Sequence, residues 1–208
     1  MTEKVVLHRR GKHVELTIGG VPILTSKLLG TERDFGRLAP KDAKRVLVGG
    51  LGFGSTLGGA LERVGDDAHV IVAEKVPRIV KLVRGELRHL AKGALDDPRV
   101  EIVSADVEEV IASERNLDAI LLDVDNGPEW ASFRSNARLY DERGLASAKR
   151  ALRNGGIWAV WSGYPVDAFV GRLRAAGFRT KVVPFVERGK LQARAYVGVK
   201  ADRGRRGR

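Results

Sequence analysis

Acidic side chains crowd one short run of this chain, Leu122-Asp123-Val124-Asp125-Asn126-Gly127-Pro128-Glu129. Clustered carboxylates raise one another's pKa, which can leave one of them usable as a base, and together they can hold an amine. Asp123 closes an apolar run, Ala119-Ile120-Leu121-Leu122, and is the candidate catalytic residue. Asp125, beside it, is the candidate substrate-binding residue. The plainer reading makes both of them turn residues ahead of Gly127-Pro128. Two more acids come after apolar runs: Glu74 ends Val70-Ile71-Val72-Ala73, and Asp106 follows Val100-Glu101-Ile102-Val103 through Ser104-Ala105. Val46-Leu47-Val48 runs instead into Gly50, Gly52 and Gly54, ahead of a helical pattern that begins at Ser55 or Thr56. Glycine adopts torsions closed to other residues and lets a ligand lie against the main chain at a helix start. Glu74 falls twenty residues past Gly54, a spacing that suits the two hydroxyls of a ribose.

The elements that must position these residues are short buried strands alternating with helices. In an open parallel sheet the carboxyl ends of the strands form one rim, where ligands bind. Gly50, Gly52, Gly54, Glu74, Asp106 and Asp123 all fall at such ends. Before them, Val5–His8 and His13–Ile18 flank Arg9-Arg10-Gly11-Lys12 as a β-hairpin that Gly19-Gly20 ends. A short helix is expected around 31–38, with Thr31 as its cap and Asp34 three residues on. Pro77 opens a helix whose apolar face runs from Ile79 to Leu90. Residues 107–114 form a short helix, and 126–140 a loop holding Trp130 and Phe133. A helix over 141–153 stops at Asn154-Gly155-Gly156. Ile157–Trp161 is a fifth buried strand, and a helix over 166–176 closes at Gly177. The runs 179–187 and 191–200 then form a hairpin about Arg188-Gly189-Lys190. The fold class is therefore α/β: a Rossmann-like, methyltransferase-type sheet, mostly parallel, with a C-terminal antiparallel hairpin and a small N-terminal β-hairpin. An NAD-binding domain would end in another βαβ unit. The division expected is 1–38 for the hairpin and connector, 39–200 for the Rossmann-like part and 201–208 for a basic tail.

Composition narrows the function. The chain has 208 residues and is 43% hydrophobic, enough for one sizeable domain. It has no cysteine, so thiolate catalysis and cysteine-held zinc are excluded. His8, His13, His69 and His89 are scattered without metal-ligand spacing, and no metal is expected. There is no P-loop and no Gly-x-Ser-x-Gly elbow. The spacing Gly-x-Gly-x-Gly departs from the dinucleotide fingerprint, which points to a nucleoside rather than a pyrophosphate. Met1–Lys4 starts no apolar signal core, and no apolar run is long enough to cross a membrane, so a soluble, cytoplasmic protein is expected. The net charge of +11 would favour polyanions, nucleic acid included, but no RNA-binding or base-methylation motif accompanies it. A homodimer is left open.

Taken together, Arg45–Leu57, Val70–Glu74, Asp97-Pro98-Arg99-Val100, Ser104-Ala105-Asp106, Asp118–Pro128 and Leu139–Gly156 resemble the spermidine synthase family of aminopropyltransferases, and most closely its short bacterial members. The resemblance covers roughly residues 15–180. It implies transfer of an aminopropyl group to a polyamine, a small-molecule amine substrate, with S-adenosylmethionine or its decarboxylated form as the cofactor. It also implies that the glycine turn cradles the nucleoside, Glu74 holds the ribose, Asp106 meets the adenine amine and Asp123 accepts the proton of the attacking amine. The family's glycine turn carries an aspartate where this chain has Phe53, its Asp-x-x-Asp-Pro pattern is replaced here after Asp123 by Asn126-Gly127, and its N-terminal Gln and Tyr have no counterpart before Tyr140 and Gln192. The alternatives are a methyltransferase acting on another acceptor with the same cofactor, and a nucleoside-binding protein without catalysis.

Overall fold

Val5–Arg10, His13–Ile18 and Val21–Thr25 (β1–β3) form an antiparallel sheet in the order β1-β2-β3 in the computed structural model, which describes residues 5–124, 128 and 134–201. The expected hairpin thus gains a third strand. Gly19-Gly20 is the tight turn into β3 rather than the end of the unit, and β3 is a sheet edge, where Pro22 is tolerated. Helix α1 (Leu29–Gly36) comes next, but Thr31 does not cap it. Thr31 is buried inside the first turn and its hydroxyl donates to the carbonyl of Leu28 at 2.9 Å.

The large sheet has seven strands: β4 (Arg45–Gly49), β5 (His69–Ala73), β6 (Val100–Val103), β7 (Leu117–Leu122), β8 (Leu152–Ser162), β9 (Phe178–Glu187) and β10 (Lys190–Lys200). Their order is β6-β5-β4-β7-β8-β10-β9. β6 to β8 are parallel, and β10 runs antiparallel to both β8 and β9. β7 is buried along its whole length, as a parallel strand covered on both faces must be. Alternate residues feed two apolar layers. Val46, Val48, Val70, Val72 and Trp161 join Phe35 of α1 and Leu57 of α2 (Ser55–Leu61) on one face. Leu47, Ile71, Ile120 and Trp158 meet the helices of the other face.

The expected helix from Pro77 is two. α3 (Pro77–Arg84) has Pro77 in its first turn, and the chain leaves helical backbone at Gly85 before α4 (Arg88–Ala91). Glycine is a poor helix former, and the bend keeps Leu87 fully buried. α5 (Val107–Ser113) matches the expected 107–114, and a 3-10 helix, Arg134–Tyr140, occupies the end of the expected loop. α6 (Glu142–Ala151) starts at Asp141, whose carboxylate accepts the N–H of Gly144 at 2.8 Å. It stops two residues earlier than expected, because the chain enters β8 at Leu152. Leu117 pairs with Leu152 while Ala119 pairs with Ile157, so Arg153–Gly156 bulge out of the strand. The glycines there serve a bulge, not a helix end. α7 (Asp167–Ala175) and the hairpin turn at Arg188-Gly189 agree with the sequence reading. Trp130 and Phe133, the residues Met1–Lys4 and the tail beyond Ala201 lie outside the described residues.

The order of strands reverses between β4 and β7. That is where an open α/β sheet opens a crevice at its carboxyl edge.

Candidate active site

β4 delivers the glycine turn to this crevice. Gly50, Gly52 and Gly54 have φ of 84°, 51° and 82°, three left-handed residues that only glycine adopts without strain. Gly50 has a second constraint: a Cβ there would stand 2.5 Å from the carbonyl oxygen of Asp123. The ends of β4 and β7 therefore meet backbone to backbone. Gly54 caps α2 and does not line the crevice. Phe53 turns inward and is 1% exposed.

β5 delivers Glu74, which is buried and holds two pieces of main chain. Oε2 accepts the N–H of Leu51, inside the glycine turn, at 3.0 Å, and Oε1 accepts the N–H of Val76 at 2.8 Å. Burial pushes its carboxyl above the usual range, and the two amides and Lys75 only partly offset that. Each oxygen keeps a further lone-pair site for a ligand hydroxyl. β6 delivers Asp106, which caps α5 by accepting the N–H of Glu108 at 3.1 Å and pairs with Lys75 at 3.5 Å.

β7 delivers Asp123. The Thr56 hydroxyl, in the first turn of α2, donates to Asp123 Oδ2 at 2.5 Å and lies 3.2 Å from the main-chain carbonyl of Glu32. A hydroxyl has one proton. Thr56 gives it to ionised Asp123; when Asp123 is protonated, Thr56 can accept from the acid and donate to the Glu32 carbonyl instead. Both protonation states are thus accommodated. Burial pushes Asp123 up to about 6, against the pull of the Thr56 hydrogen bond. Burial, and then the like charge of Asp123, hold Glu32 well above the usual carboxylate range. Among the described residues, no cation lies within ion-pair distance of either acid.

Glu32 reaches this place because α1 and α2 cross in near contact. A Cβ on Gly36 would be 2.1 Å from the carbonyl oxygen of Thr56, and one on Gly59 1.9 Å from that of Arg33. Arg33 and Arg37 of α1 then clamp Glu62 just beyond α2. Sequence reasoning did not find Glu32. The signal available was Gly36 on α1 facing Gly58-Gly59 on α2, a small-residue match that marks close helix approach.

The structure thus gathers Gly50, Gly52, Glu74, Asp106 and Asp123 around one cleft of about 600 Å³ including its open mouth. Ile23 and Leu24 of β3, Val76, Ile79 and Val107 supply apolar walls, and Asn136 a polar one. Asp125, with Asn126, Gly127 and Glu129, lies outside the described residues. A larger concavity, of about 1750 Å³, lies between Tyr140, Leu145, Lys149, Arg172 and Lys200, but it includes none of the strand-end residues. Among the described residues, no group of three or more metal-ligating side chains converges, and no helix is long and apolar enough to cross a membrane.

No protein-family model matches the chain. Among curated proteins, it is 28% identical over 188 residues to a polyamine aminopropyltransferase of Mycobacterium tuberculosis, a match covering 85% of this chain and 35% of that one. It is 27% identical over 183 residues to polyamine aminopropyltransferase 1 of Hyperthermus butylicus, covering 77% of this chain and 61% of the relative. The chain spans about a third of the length of the mycobacterial relative. The fold is similar to that of spermidine synthase from Thermotoga maritima, with a TM-score of 0.73, 21% identity, and coverage of 96% of this chain and 70% of the other. It is also similar to an S-adenosylmethionine-dependent O-methyltransferase of Thermotoga maritima, with a TM-score of 0.58, 21% identity, and coverage of 84% and 66%. In sequence the chain is similar to polyamine aminopropyltransferases, and its fold is the Rossmann-like methyltransferase fold.

Proposed function

We propose that the protein is a transferase that binds S-adenosylmethionine or its decarboxylated form and moves an aminopropyl group to a small polyamine. The observation that carries this reading is the convergence of Gly50, Gly52, Glu74, Asp106 and Asp123 on one cleft at the switch point of the sheet. The residues fit an adenosyl group: Gly50 and Gly52 leave the main chain open, Glu74 retains acceptor sites for ribose hydroxyls, and Val76, Ile79 and Val107 offer apolar faces to a base. Asp106 is the acceptor for its exocyclic amine.

The acceptor side falls to Asp123. An amine attacks only through a free lone pair, so its proton must leave. In aminopropyl transfer the nitrogen forms a bond to the carbon next to the sulfonium, the carbon–sulfur bond breaks, and neutral methylthioadenosine departs. The proton lost by the nitrogen goes to Asp123, whose raised proton affinity makes it a usable base near neutral pH. Thr56 holds the carboxyl in place through either state. Asp125 is assigned to amine binding on sequence grounds alone.

Methyl transfer from S-adenosylmethionine is the second reading. It is favoured by buried Phe53, which leaves the glycine turn without an acid to recognise an amine tail. One assay separates the two. The protein is incubated with 1,4-diaminobutane and each donor in turn, and products are resolved by mass spectrometry. Spermidine and methylthioadenosine in equal amounts from the decarboxylated donor support aminopropyl transfer. S-adenosylhomocysteine with a methylated acceptor supports the alternative. Tight donor binding with neither product overturns both in favour of binding without catalysis.

A further inference from the structure

We propose that Lys75 reads the base of the donor together with Asp106, donating to a ring nitrogen beside the exocyclic amine that Asp106 accepts. The inference rests on the functional reading above and adds a specificity-determining residue to it. Lys75 follows Glu74 past the end of β5, and Asp106 stands past the end of the neighbouring strand, β6. Both line the cleft. Their side chains bridge the two strand ends, with Nζ of Lys75 3.5 Å from Oδ2 of Asp106. A well-formed hydrogen bond from an ammonium to a carboxylate is shorter, about 2.7–2.9 Å. The pair is therefore loose, and neither group is spent on the other. An ammonium carries three N–H donors, so Lys75 can keep Asp106 and still donate to a ligand. Asp106 accepts the N–H of Glu108 through Oδ1 at 3.1 Å, which fixes its carboxylate, and Oδ2 retains a second acceptor site.

The two side chains thus set an acceptor beside a donor on the wall of the cleft. Adenine carries the complementary pattern, an amine that donates next to a ring nitrogen that accepts. A purine with oxygen in place of that amine shows two acceptors on the edge that includes N7, and its oxygen would face the carboxylate of Asp106. Val76 and Val107, the residues next along the chain from Lys75 and Asp106, also line the cleft and offer apolar contact to the ring faces. Among the described residues, Lys75 is the one cation lining the cleft, against the carboxyls of Glu74, Asp106 and Asp123. Its pairing with Asp106 brings the base end close to neutrality and leaves the excess of acid at Glu74 and Asp123. A donor with a neutral base and a positive sulfonium is thereby favoured with its base toward Lys75 and its cation toward Asp123.

The test uses the full chain and calorimetry with methylthioadenosine and its 1-deaza and 7-deaza analogues, each of which lacks one of the ring nitrogens that flank the amine. One of the two analogues should bind the parent about ten- to a hundredfold more weakly than methylthioadenosine, as for the loss of a hydrogen bond from a charged donor. Lys75→Met, which keeps the length of the side chain and removes the ammonium, should weaken methylthioadenosine by a similar factor and should no longer distinguish it from that analogue. Lys75→Arg keeps a charged donor and should recover part of the discrimination. A merely structural effect of Lys75→Met would weaken all three probes alike, so the ratio between probes carries the test. If the parent binds all three equally, or if Lys75→Met discriminates between them as the parent does, the assignment of Lys75 is overturned while the functional reading stands. If the parent binds none of the three, the adenosyl site itself is wrong and Lys75 falls with it.

Discussion

Replacing Asp123 by Asn should stabilise the protein above neutral pH while removing its activity. The carboxyl of Asp123 is raised from 3.8 to about 6 by burial. A group whose pKa is raised by folding contributes stability that is fully present below its unfolded pKa and is lost as pH rises through the folded value. The window here runs from about pH 4, the usual value for an aspartate, to just above 6. At pH 8 the ionised form therefore weighs against the fold by up to about 3 kcal/mol, at about 1.4 kcal/mol for each factor of ten in proton affinity. Asn removes that charge, keeps a carbonyl oxygen for the Thr56 hydroxyl, and frees Glu32 from a like charge. At this chain length, 1–3 kcal/mol corresponds to a rise in Tm of about 3–10 °C. The assay is urea denaturation of parent and variant from about pH 3 to 8.5. The two curves should converge near pH 3 and separate between about pH 4 and 6, with the variant the more stable at pH 8. Turnover should meanwhile fall about 10²–10⁴-fold. Parallel pH profiles, or a variant less stable than the parent at pH 8, would show that Asp123 sits in no strained ionised state and would remove the basis for treating it as the base.

Two other acids should behave differently, each for a reason visible in its partners. Glu74→Ala strips the acceptor from the N–H groups of Leu51 and Val76. It should weaken methylthioadenosine binding by about 1.5–3 kcal/mol and lower the Tm as well; calorimetry showing unchanged affinity would sink the ribose assignment. Asp118, at the opposite end of β7 from Asp123, accepts the N–H groups of Lys44 and Arg45, both at 2.8 Å, and pairs with Arg153. Burial opposes its charge, yet Arg153 and those amides hold its carboxyl below the usual range. Its contribution is therefore present above about pH 4 and lost as pH falls. Asp118→Asn should cost about 1–3 kcal/mol at pH 7 and progressively less as the pH falls below about 4, as followed by denaturation, with binding affinity unaffected.

Much of this was legible in the chain because the strands are short, apolar and each closed by a distinctive residue. Val46–Val48, Val70–Ala73 and Ala119–Leu122 announce buried parallel strands, and the glycines or acid just past each of them line the cleft. The errors have local causes. Gly19-Gly20 ends a strand and also turns into another, and sequence shows only the first role. Leu87 has the right phase for the helix from Pro77, but the apolar face continues across a bend at Gly85, and periodicity does not register the bend. Asn154-Gly155-Gly156 looks like a helix stop, yet the sheet claims the chain at Leu152 first. The doubled duty of Glu74 was hidden for another reason. Its bond to Leu51 links positions 23 apart, a pairing that depends on β4 and β5 lying side by side.

Glu32 was the least legible of all, and its position changes how the N-terminal segment is understood. The sequence division sets residues 1–38 apart as a hairpin and connector. Phe35 nevertheless joins the core of the large sheet, Ile23 and Leu24 line the cleft, and α1 lies against α2 so closely that glycine is required on both sides. The sheet rim alone supplies residues for a nucleoside and one acid for the chemistry. It supplies no second anion at Phe53, because that side chain is turned into the core. The crossing helix brings the main-chain carbonyl of Glu32, 91 positions before Asp123 in sequence, to the hydroxyl that donates to Asp123. The cleft itself belongs to the sheet and to β3, and among the described residues α1 reaches Asp123 only through the Thr56 hydroxyl. Changes at the Gly36–Gly59 crossing should then disturb the Thr56–Asp123 hydrogen bond, and lower turnover, before they alter nucleoside affinity, although neither glycine touches the cleft.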